Sequence, residues 1–69
     1  MTNTKKLKAA IEKRGISQRE IARELGLSEE TLSRKIHNRL EFRAGEMTRL
    51  IAILGIYAPG EIFFADEVD

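Results

Sequence analysis

The residues with chemistry to offer lie between Gln18 and Arg43, and it is the chemistry of charge and hydrogen bonding rather than of bond making. Glu29, Glu30, Thr31, Ser33, Arg34 and Lys35 follow closely enough that, on a helix, several share the solvent side. Arg34 offers a planar fork of N–H donors that matches guanine O6 and N7. Ser33 and Thr31 can reach bases or phosphates, and Thr31 can equally complete a helix cap. Glu29 and Glu30 are awkward companions. A glutamate can accept from cytosine N4, but two carboxylates are repelled by a phosphate backbone. First-turn acids favoured by the helix dipole are an equally good reading of them. Lys35, His37, Asn38, Arg39 and Arg43 form a second polar cluster just beyond.

Catalysis has little to work with here. The chain lacks cysteine, so disulfides and thiolate metal sites are excluded, and its single histidine, His37, reads as an exposed helix-end residue. There is no His/Cys/Asp cluster and no glycine-rich phosphate loop, and 69 residues enclose little volume for a substrate. We therefore expect no enzyme, no metal and no cofactor. The composition, 42% hydrophobic and 33% charged, is that of a globular chain rather than a disordered one.

The net charge of +1 conceals an asymmetry. Up to Arg43 there are 11 lysines and arginines against 6 acids; beyond it Arg49 alone faces 5 acids. A basic first part suits a polyanion, and an acidic second part suits a face turned away from it. Lys5, Lys6 and Lys8 read as a solvated face. No apolar stretch approaches the roughly 20 residues that span a bilayer. The opening Met1-Thr2-Asn3-Thr4-Lys5-Lys6 has no apolar run behind it, so it is not read as a signal peptide, and a cytoplasmic location is expected.

Helical periodicity must position these groups. Leu7, Ala10 and Ile11 predict a first helix over about residues 4–13, ended at Gly15. Ser17-Gln18-Arg19-Glu20 fits a capping box, with Ile21, Ala22 and Leu25 on the buried side of a second helix that Gly26 closes. Ser28 is a natural N-cap for a third helix, with Leu32 and Ile36 facing inward and fraying near Asn38. Leu40-Glu41-Phe42 predicts a loop that plugs two apolar side chains into the core. Met47, Leu50, Ile51 and Leu54 mark a fourth helix over about residues 44–54. Pro59 suits the first turn of a short fifth helix over about residues 59–65, and residues 66–69 make an acidic tail. The expected fold is a single compact all-α domain of five helices. Ala22 must be small where the third helix crosses it, and Gly26 must turn with positive φ. The outward side of the third helix is then free to enter a major groove.

The pattern Gln18, Ala22, Gly26, Leu27, Ser28, Thr31, Leu32 and Ser33 resembles the lambda-repressor/Cro-like, Xre-type helix-turn-helix family, with the motif at about residues 17–38. Leu32-Ser33-Arg34-Lys35-Ile36 with Phe42, and the ending Leu54-Gly55-Ile56 with Pro59-Gly60-Glu61-Ile62-Phe63-Phe64, resemble small phage-type members. The resemblance implies double-stranded DNA as partner, phosphate contact by Gln18, Asn38, Arg39 and Arg43, and a contact set completed by Ser28, Glu29, Thr31, Ser33, Arg34 and Lys35. Two departures stand out. Lys35 occupies a position that many members give to an aromatic or aliphatic residue, leaving Ile36 the inward role. Arg43 stands where a capping Ser or Thr is usual, a loss worth about 1 kcal/mol.

Ile62, Phe63 and Phe64 spread over about 200° of a helix, more than one buried face can cover. They are the candidate homodimer interface, and a two-fold operator would then be the target; the alternative is that Ile62 and one Phe close the core while the other Phe lies partly exposed. The competing expectation is a protein-interaction module, such as an antirepressor that keeps the fold but binds a repressor. Its support is the Glu29-Glu30 pair, the acidic tail and the small net charge.

Overall fold

A computed structural model describes residues 1–65. Its helices are α1 (Thr4–Arg14), α2 (Gln18–Leu25), α3 (Glu29–Ile36), α4 (Ala44–Leu54) and α5 (Pro59–Phe63), with no strand among the described residues. The first three start where a side chain can accept from an orphan backbone amide. Asn3 caps α1 through the Lys6 amide, Ser17 caps α2 through Glu20, and Ser28 caps α3 through Thr31, each at 3.1 Å.

The turn that matters is between α2 and α3. Gly26 sits at φ 71°, in the left-handed region where a Cβ is penalised, and lets Leu27 donate back to the Ala22 carbonyl at 2.8 Å. α3 leaves this turn packed on α2, and buried Ala22 leaves room for it. α1 packs against α3, α4 and α5, and α2 also meets α4. Leu7, Ile21, Leu32, Ile36 and Leu50 are sealed at the centre, one or more from each of the four longer helices.

The loop after α3 follows the expected plan only in part. Phe42 is buried and meets Phe63 edge-on, with ring centroids 5.6 Å apart and planes at 79°. Leu40 remains 44% exposed rather than plugging the core.

The end of the chain follows the alternative expectation, with Ile62 and one Phe closing the core, and so narrows the expected dimer face. Ile62 and Phe63 are both buried, and Phe64 alone stays out, 69% exposed. Helical spread does not force the first two onto the surface, because α5 is covered on two sides. Ile62 faces the groove lined by Lys6, Ala10 and Leu54, while Phe63 faces Phe42, Met47 and the N-terminal residues. Those residues run alongside α5: Asn3 donates to the Ile62 carbonyl at 2.6 Å, and Ala65 donates to the Met1 carbonyl at 3.1 Å. The expected acidic tail, residues 66–69, lies outside the described residues. No helix among the described residues is long and apolar enough to cross a membrane.

Candidate nucleic-acid interface

α3 turns Leu32 and Ile36 into the core and leaves Glu29, Glu30, Arg34 and His37 exposed, with Thr31 and Ser33 half-buried at the edges. Ser28 and Thr31 are tied together: the Ser28 hydroxyl accepts from the Thr31 amide and donates to the Thr31 hydroxyl at 2.9 Å. Both therefore first serve the start of α3. Arg34 donates from Nη2 to Glu30 Oε1 at 2.6 Å, one helical turn back. With side chains 56% and 74% exposed, such a pair contributes only about 0.3–0.5 kcal/mol, so Arg34 can leave it cheaply. Among the described residues nothing takes its Nε and Nη1 donors while the pair is intact.

Beyond α3 the chain turns sharply. Asn38 adopts φ 63°, a conformation asparagine tolerates better than most residues. Arg39 and Leu40 then donate back to the Arg34 carbonyl at 2.8 and 3.3 Å. Ser33, Arg34, His37 and Arg39 line a shallow depression of about 300 Å³ on this surface. His37 donates from Nδ1 to the Ser33 carbonyl at 2.9 Å, consistent with the helix-end role expected of it. Arg43 is exposed at the start of α4, and Gln18, half-buried, opens α2.

Two expected contact residues are placed otherwise. Asn38 spends its amide on the N-terminal segment, Oδ1 accepting from the Thr2 amide and Nδ2 donating to the Thr2 carbonyl, both at 2.8 Å. It holds the chain end against α3 instead of pointing a free amide outward. Lys35 is only 7% exposed, and its ammonium reaches Glu46 Oε1 at 2.5 Å. Inward placement of Ile36 therefore did not release Lys35 to solvent. Both residues face the domain, because the arriving α4 supplies the carboxylate that Lys35 needs.

Glu46 was not singled out from the sequence, although Arg43 and Glu46 have capping-box spacing. The same Oε1 accepts from the Arg43 backbone amide at 2.9 Å, which restores half of the cap that Arg43 cannot supply from its own side chain. Burial pushes the Glu46 carboxyl up, but the hydrogen bonds from Lys35 and the Arg43 amide, with the charges of both residues, outweigh it and hold the group below its ordinary value.

The helix-turn-helix family pattern matches residues 7–61, most of the chain. The chain belongs to that family, in its Xre or lambda-repressor-like form. No curated protein and no solved structure matches it. As a helix-turn-helix protein it is a DNA-binding regulator, and its α2–turn–α3 unit is the element that the family presents to DNA.

Proposed function

We propose that this helix-turn-helix protein is a Cro- or repressor-like transcriptional regulator that lays α3 in the major groove of a two-fold operator as a homodimer. The observation that carries this reading is the open polar side of α3, with Arg34 exposed at its centre and held, among the described residues, by a surface ion pair. Arg34 reads guanine O6 and N7, and Glu29, Thr31 and Ser33 flank it toward neighbouring bases. Gln18, Arg39 and Arg43 meet phosphates on either side, with the amides at the start of α2 assisting Gln18. Ser28, Lys35 and Asn38 act from behind, by holding α3 and its exit in place. A single domain of this size makes few contacts, and two copies on adjacent half-sites multiply them. Of the large apolar side chains left exposed, Met1, Leu40, Tyr57 and Phe64, we assign Phe64 with its neighbour Met1 to the second copy. Regulation follows from occupying a promoter, without chemistry.

Selection from a random duplex library, with sedimentation run beside it, tests this reading. An enriched palindrome with half-sites about 10 base pairs apart supports it. The antirepressor reading draws on Glu29 and Glu30 at the start of α3, where Glu30 already occupies Arg34. A gel shift separates the two: affinity that falls as salt rises supports the operator reading, and no affinity even at about 50 mM salt supports the other.

A further inference from the structure

Lysine is almost never buried without a partner, and a buried ion pair is commonly no more stabilising than apolar residues of the same shape. Stability alone therefore gives little reason for Lys35 and Glu46, whose side chains are 8% and 13% exposed. Their location supplies another. One carboxylate oxygen receives both the Lys35 ammonium from α3 and the Arg43 amide from the start of α4. At the other end of the connection, the Arg39 and Leu40 amides hang on the Arg34 carbonyl. The segment carrying Arg39 and Arg43 is thus pinned at both ends to consecutive residues of α3, once by backbone and once by the ion pair.

We infer that Lys35 and Glu46 are positioning residues that lock the connection between α3 and α4 to the reading helix, so that Arg34 meets a base edge while Arg39 and Arg43 meet the phosphates of the same half-site. This assignment rests on the DNA-reading role proposed above. Recognition of both groups by one rigid body tolerates displacements of only about 0.5 Å, which a loose loop would exceed. Lys35 itself makes no DNA contact in this scheme.

The test is the double variant Lys35→Met/Glu46→Gln. Methionine covers the space of the lysine stem, and glutamine keeps an acceptor for the Arg43 amide. The variant is expected to melt within about 4 °C of the parent, since no unpaired buried charge remains. It should bind the duplex selected by the parent about tenfold more weakly and lose preference at the base read by Arg34. Its affinity for random duplex and the salt slope of that binding should stay as in the parent. Lys35→Arg, which keeps the pairing, should keep the preference. Should the double variant fail to fold by circular dichroism, Lys35→Gln/Glu46→Gln is read in the same way. Parental affinity and base preference in a folded, uncharged pair would overturn the positioning role. So would a salt slope smaller by about one on every duplex, because that is the signature of a lost phosphate contact. A parent that selects no duplex removes the DNA reading and the positioning role together, whereas a parent that selects one and a variant that matches it removes the positioning role alone.

Discussion

Replacing Arg34 by alanine separates what this side chain does for the folded domain from what it does on a duplex. In the free protein its one polar side-chain partner among the described residues is Glu30, across a pair more than half exposed on both sides. Losing that pair costs about 0.3–0.5 kcal/mol, which for a domain this small lowers Tm by about 2–4 °C. On DNA the loss is larger. A bidentate arginine–guanine contact is worth about 1–3 kcal/mol, so each half-site should lose about 5- to 150-fold in affinity, concentrated at one base position. Fluorescence anisotropy on the selected duplex and on its single-base variants reads both quantities. The parent should discriminate at that position and Arg34→Ala should not, with other positions unchanged. Glu30→Ala provides the complementary arm. It frees the guanidinium and removes a carboxylate from the duplex surface, so affinity should rise on every sequence. An Arg34→Ala protein that binds as tightly as the parent, or one that weakens equally on all sequences, would refute the base-reading role.

Other expectations follow from the same geometry. Glu46 is held below the ordinary glutamate value of about 4.3. Its contribution to stability is therefore fully present above that pH and is lost as pH falls through the lowered native value, and Glu46→Gln should flatten this part of the acid limb in pH-dependent urea melts. Phe63→Ala should cost about 3–5 kcal/mol because the ring is buried against Phe42, whereas Phe64→Ser should leave Tm nearly unchanged and shift sedimentation toward monomer. An unchanged sedimentation profile for Phe64→Ser would remove that surface from the dimer. Asn38→Gly keeps the left-handed backbone but loses both hydrogen bonds to Thr2, a cost of about 1–3 kcal/mol in urea unfolding; Asn38→Ala should lose about 1 kcal/mol more, for the φ it must adopt.

What was legible in the sequence was what short-range rules decide. Ser17 and Ser28 cap within three residues, Gly26 turns the chain locally, and the spacing of Ile21, Ala22 and Leu25 marks its buried side without reference to anything distant. These features place α2, the turn and α3, and so they place Arg34. The misplaced residues share a different property, since each depends on a partner from far along the chain. Asn38 looked like a free amide at a helix end because Thr2, which occupies it, lies 36 residues away. Phe63 looked surplus because the second wall of its pocket comes from the N-terminus and the loop around Phe42. Lys35 is the instructive case. A lysine next to an inward Ile36 invites an outward rotation, but rotating it out would also drag Ile36 and Leu32 from the core. Keeping α3 in register and importing a carboxylate from α4 is the cheaper solution, and the signal that would have found Glu46, its capping-box distance from Arg43, went unread. A charge in an apolar register position is thus a prompt to search for its counter-ion at a nearby helix start before assigning it to a ligand.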